Sequence, residues 1–207
     1  AALFAFCASL SRYDGWFLFL FAGLLILVNT FRKKGFQASE GLSVLYATLA
    51  GVGVFLWFVW NALIFKDPLY FAFGPFSAHA QQEQLDAAGV LATKGNWLLS
   101  LKVYLYALLY NSYAFTAVLG GIGAIFVWFD KKFDLGVKIV TLSLLAPLMF
   151  NILALYLGHS VLFIQGISGD TWFNVRYGIM IMPSIAIFVG YLADRLKEIK
   201  WVILGLF

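Results

Sequence analysis

Apolar residues run along this chain in long stretches broken by short polar clusters, with none of the strict alternation that marks half-buried strands. Residues 16–31, 42–65, 113–129, 135–157 and 178–193 each approach the roughly 20 apolar residues that carry a helix across a hydrocarbon layer. Two incomplete runs flank them, residues 1–10 and the stretch from Trp201 onward. The runs 16–31 and 178–193 are short, which suits upright helices or helices bordering a wet cavity. The pattern predicts an all-α, polytopic membrane bundle of about six to seven spans, a single transmembrane domain over residues 1–207.

The interruptions sort by charge. Arg32, Lys33 and Lys34 fill one, Lys131 and Lys132 another, and Arg195, Lys197 and Lys200 a third. The positive-inside rule puts all three in the cytoplasm. Residues 11–15, 66–110 and 158–177 then face outward, and every complete run crosses once. Within the longest outer connector, residues 97–110 are aromatic-rich with one lysine, Lys102, and read as a helix lying in the membrane interface. The alternative is one long tilted span over 97–129. Gly51, Gly53, Gly120, Gly121 and Gly123 fall inside apolar runs, where small residues let helices approach closely.

Composition supports the bilayer. Hydrophobic residues make up 63% of the chain and charged residues only 12%, too few to cover a water-facing exterior. The 22 Phe, 7 Trp and 10 Tyr exclude disorder, and the lone Cys7 excludes an intrachain disulfide. The net charge of +4 resides in turns rather than on a phosphate-binding face, so no nucleic-acid partner is expected. The chain starts without Met and stops inside the run from Trp201, which reads as an internal piece of a longer protein.

Candidate chemistry lies outside, where the connectors are long and carry both signs of charge. In the first, S-R-Y-D-G-W, Arg12 and Asp14 read either as an interfacial ion pair with Tyr13 and Trp16 as anchors, or as a lipid-phosphate site. Arginine offers phosphate a charged bidentate fork. In the second, residues 61–82, Asp67 before Pro68 bends the chain out of helical geometry. The apolar residues that follow dip back toward the membrane, and Ser77, His79, Gln81 and Gln82 could face sugar hydroxyls. The plainer reading is a polar helix cap after Pro75 with a solvated His79. In the third, Asp170 and Arg176 flank Trp172 and Phe173 ahead of a span with Pro183. That is an ion pair and aromatic belt, or a second outer cation for a phosphodiester or diphosphate. No phosphate loop, HExxH, CxxC or GxSxG pattern occurs. A His/Cys metal site is not expected and no cofactor is assigned, with carboxylate ligation of a divalent ion left open.

The SRYDGW turn, the stretch W-x-x-W-N-A-L-I-F-K-D-P-L-Y-F over 57–71 with Ser77 and Gln81 after it, and N-V-R-Y at 174–177 together resemble the polytopic GT-C glycosyltransferases. The likeness is to family 39-type enzymes, similar to protein O-mannosyltransferases and lipid A aminoarabinose transferases. It implies an integral, multi-pass enzyme, in the cytoplasmic membrane if the source is prokaryotic. Such an enzyme moves a sugar, with inversion, from a polyprenyl-phosphate donor to a lipid, glycan or protein acceptor on the outer face. Membrane lipids are its other partners. By the same resemblance Arg12, Arg176, Tyr13 and Tyr177 would hold the lipid phosphate, and Ser77, Gln81 and Asn174 the sugar or acceptor. The family's catalytic acid would lie upstream of Ala1, which would leave this piece alone inactive, with Asp14 and Asp67 as the remaining outer carboxylates. A secondary transporter or lipid-linked-sugar flippase is the competing class, with Thr141 and Asn151 as its mid-span polar groups. A non-catalytic scaffold ranks third.

Overall fold

The computed structural model describes residues 1–11 and 14–207, with side chains throughout except at Asp14, Ala78 and Leu206. Among these residues the chain is helical, with no strand and two isolated bridges. Five helical segments are long and apolar enough to cross a membrane: Gly15–Lys34, Phe36–Phe65, Trp97–Phe129, Leu135–Tyr156 and Val175–Arg195. They answer to the five complete apolar runs. The contacts divide the chain into two compact units.

The first unit holds α1 (Ala2–Ser11), α2 (Asp14–Lys34), α3 (Phe36–Phe65), α4 (Tyr70–Phe73) and most of α5 (Ala78–Ala87), together with residues 139–146. α3 begins six residues ahead of the predicted span because the turn needs only Gly35, at φ 79°, a conformation glycine takes without a steric penalty. The returning helix is tied antiparallel to α2: Ser39 Oγ donates to the Leu27 carbonyl at 2.9 Å and Tyr46 Oη to that of Phe19 at 3.0 Å. Ala5, Tyr46 and Ala50 form the core. A Cβ on Gly53 would strike Ser9 Oγ and the Phe6 carbonyl, so α1 lies directly on α3 there. Gly51 has only the rim of Phe19, at 4.0 Å. Arg32, Lys33 and Lys34 occupy one end of this unit. At the other end the Phe71 ring packs 5.5 to 6.3 Å from Trp16, Phe58 and Trp57. The loop after Asp67 therefore folds back on the helix ends, as its apolar residues required.

The second unit comprises residues 85–138 and 147–207. Its helices are α6 (Trp97–Phe129), the start of α7 (Leu135–Thr141), α8 (Ala146–Tyr156), a 3-10 stretch (Val175–Ile181), α9 (Met182–Arg195) and α10 (Lys200–Leu206). Between α7 and α8 the helix tightens to 3-10 over Leu142–Leu145. Pro147 supplies no N–H there and its ring crowds the carbonyl four residues back. Asn96 caps α6, its Oδ1 accepting from the Leu99 amide at 3.0 Å. At 33 residues and about 1.5 Å per residue α6 exceeds a bilayer core about 30 Å thick, and it leaves helical geometry once, at Tyr113.

The half of α6 before that break packs one face against the rest of its unit. Ser100, Val103, Tyr104, Ala107 and Leu108 follow the helical i, i+3, i+4, i+7, i+8 pattern and are buried, against Ile152, Leu155, Leu162 and Ile164 among others. Only the complementary stripe with Leu98, Tyr106 and Tyr110 is exposed. Beyond the break, Gly120 and Gly123 receive Ile185 and Phe188, and Gly178 sits against the Ala107 carbonyl. α6 and the segment running into α9 therefore point the same way. At their shared end the buried Asp130 carboxylate accepts from Tyr191 Oη at 2.5 Å and from the Lys132 amide at 2.9 Å, with Arg195 Nε at 3.7 Å. The tyrosine hydrogen bond first, then the amide, and the Arg195 charge after them hold Asp130 below its ordinary range, against an opposing effect of burial. Lys131, Lys132 and Arg195 thus lie at one end of the unit, and the connectors before α6 and after α8 at the other, where Gly95 N donates to the Tyr156 carbonyl at 2.8 Å. Within each unit the basic turns lie at one end and the intervening connectors at the other.

Candidate functional site

α8 ends in a Schellman motif: Gly158, at φ 74°, donates to the Leu155 carbonyl and His159 to that of Ala154. The Lys94 stem covers Gly158, and its ammonium pairs with Asp86. From here residues 159–174 form a compact loop. Phe163 and Phe173 exchange backbone hydrogen bonds of 3.0 and 3.1 Å, and Gly166 donates to Gly169. Leu162 and Ile164 are buried, and Ser168 Oγ accepts from the Ile164 amide at 3.0 Å.

Three side chains fasten this loop where it re-enters the helices. Asn174, in a left-handed conformation at φ 54°, donates Nδ2 to the Val161 carbonyl at 2.9 Å. Asn111 Nδ2 donates at 2.7 Å to the carbonyls of both Val175 and Ala107. Tyr104 Oη donates to the Tyr177 carbonyl at 3.3 Å. On the outside Trp172 donates its indole N–H to Gln165 Oε1 at 2.8 Å, and its ring meets that of Tyr110 edge-on at 4.6 Å. Between these fixed groups stands Arg176, exposed, with no hydrogen bond or ion pair among the described residues. The Asp170 to Arg176 pair that the spacing allowed does not form.

The other expected residues divide. Asn174 and Tyr177 share the Arg176 turn, Asn174 as a staple and Tyr177 half-buried and bonded through its backbone. Ser77, Gln81 and Asp67 belong to the first unit. Ser77 is buried and caps α5, its Oγ accepting from the Ala80 amide at 3.1 Å. Gln81 reaches back to the Phe76 carbonyl, and Asp67 Oδ1 accepts from the Leu69 amide at 2.8 Å, closing the turn around Pro68. His79 pairs with Glu83 at 3.2 Å. Arg12 and Tyr13 lie outside the described residues, as does the side chain of Asp14. Asn151, a mid-span polar group, donates its Nδ2 to the Pro147 carbonyl at 2.7 Å and to Met180 Sδ at 3.4 Å. Among the described residues no three His, Cys, Asp or Glu side chains gather in a way that could hold a metal ion.

Sequence reasoning passed over Asn111 and Gln165. The available signal was the adjacent pair Asn111-Ser112 inside a long aromatic and apolar run, where two amide or hydroxyl groups need carbonyl partners. This fold defines a helical, membrane-embedded protein with a built loop at one end of its second unit. No known protein family, curated protein or solved structure matches the chain.

Proposed function

We infer that the chain is the membrane part of a glycosyltransferase that draws a sugar from a polyprenyl-phosphate carrier, with Arg176 at the lipid phosphate. The observation that carries this reading is Arg176 itself: an exposed guanidinium with no anionic partner among the described residues, on a turn whose backbone is fastened by Asn111, Asn174 and Tyr104. A cation that always keeps its charge, held at the mouth of apolar helices, is suited to an anion that arrives on a lipid. As the bond from the anomeric carbon to the phosphate oxygen breaks, negative charge grows on the departing phosphate. A guanidinium already in position stabilises that charge without rearrangement. The acceptor hydroxyl attacks the opposite face of the sugar and gives its proton to a carboxylate. The GT-C resemblance of the W-x-x-W-N-A-L-I-F-K-D-P-L-Y-F and N-V-R-Y stretches points the same way. Asn151, whose Nδ2 is already held by Pro147 and Met180, has no amide N–H left for a transported solute, which weighs against a transporter.

The test uses membranes containing the full-length protein and radiolabelled polyprenyl-phosphate sugars. Arg176→Ala should reduce transfer about 10²-fold or more at equal expression, the scale of losing one preorganised charge-stabilising donor. Arg176→Lys, a point charge without the fork, should recover part of it. Undiminished transfer in Arg176→Ala would reduce this residue to an interfacial anchor, and no transfer from any donor in the wild type would return the transporter to first place.

A further inference from the structure

We propose that Asn111 and Tyr113 form a latched joint in α6 that sets the position of Arg176, with Asn111 as the positioning residue. Tyr113 has φ 58° and ψ 148°, a region of backbone space used almost only by glycine and held in other residues only where the surroundings enforce it. Its own side chain does not enforce it, being 83% exposed. The neighbouring polar side chains do. Asn111 Nδ2 spans two carbonyls, Ala107 of its own helix and Val175 of the returning loop, both at 2.7 Å. Ser112 Oγ donates to Leu108 at 2.8 Å and to the carbonyl of Tyr113 itself at 3.3 Å. The bond to Val175 is the one that a straight helix would not need. It joins the break to the peptide immediately before Arg176, so helix geometry and guanidinium position change together. Without it Tyr113 can relax into the ordinary helical region, straightening α6 and freeing the Arg176 turn. The joint stands on geometry alone; its consequence for sugar transfer rests on the lipid-phosphate reading of Arg176.

The experiment places spin labels at Leu98 and Phe129, exposed residues on the two halves of α6, in the full-length Cys7→Ser protein in lipid nanodiscs. In Asn111→Ala the distance between the labels should lengthen toward the about 47 Å of an unbroken helix. Adding Tyr113→Gly should shift it back, because glycine occupies the break without strain. An unchanged distance in Asn111→Ala overturns the joint. In the same proteins Asn111→Ala should lower kcat for transfer about 10²-fold with donor KM little altered, the pattern of a misplaced group. A lengthened distance with normal transfer would overturn the hold of the joint on Arg176. A wild type that transfers nothing would sink the glycosyltransferase reading, while the distances still decide the joint. If Asn111→Ala does not accumulate, Tyr113→Gly alone decides: a higher unfolding temperature supports a strained, latched break, and a lower one overturns it.

Discussion

At Gly123 a methyl group would be driven into the backbone of Phe188, whereas at Gly121 it would meet nothing within 4 Å. Gly123→Ala should therefore lower stability by about 1–3 kcal/mol, as forced overpacking does. Gly121→Ala should be neutral or gain up to about 1 kcal/mol from helix propensity. Thermal unfolding in nanodiscs separates the two, and equal effects would deny the close crossing of α6 and α9. Asp130 makes a prediction of a different kind. Its folded pKa is depressed, chiefly by the Tyr191 hydroxyl. Its stabilisation is thus complete above the unfolded value of about 4 and disappears as pH falls through the folded value. The stability difference between wild type and Asp130→Ala should be constant near neutrality and shrink below about pH 4, as read from unfolding midpoints across pH. A difference that persists undiminished in acid would assign the effect to packing instead.

Elements were legible where a physical requirement leaves one solution. Five apolar runs became five membrane-length helices because a backbone in hydrocarbon must bond to itself. Residue 113, where the apolar pattern starts a span, is the point where α6 breaks. Less legible was the use of each polar side chain in the connectors. Ser77 and Asp67 carry the same oxygen atoms whether they bind a sugar or close a turn, and only the backbone path tells which. Ser77 in its observed place predicts that Ser77→Ala loses about 0.5–2 kcal/mol of local helix stability. Faster hydrogen exchange at Ala80 and its neighbours in α5 is the measurement, and unchanged protection there would show that the cap is dispensable. The candidate site was half legible: Arg176 stands out as a charge beside a span, but the loop that fastens it depends on Asn111, 64 residues away in sequence.

For the whole molecule, the separation of basic turns from outer connectors within each unit predicts a definite sidedness. Single cysteines in a Cys7→Ser background test it, best at Phe76, which is 83% exposed, since Ser77 is buried. An impermeant thiol reagent added to intact cells should label the Phe76 site and spare Lys132, and the reverse pattern would invert the molecule. The parallel course of α6 and α9 carries a further consequence for biosynthesis. A helix that enters the bilayer in one direction cannot pair with a same-direction neighbour until the chain has crossed back, so α6 must wait through α7 and α8 before α9 is made. During that interval Gly120 and Gly123 face lipid or an insertion chaperone rather than Ile185 and Phe188. A ribosome stalled before Met182 should accordingly hold an α6 still open to crosslinking from the translocation machinery, and the released, completed chain should not.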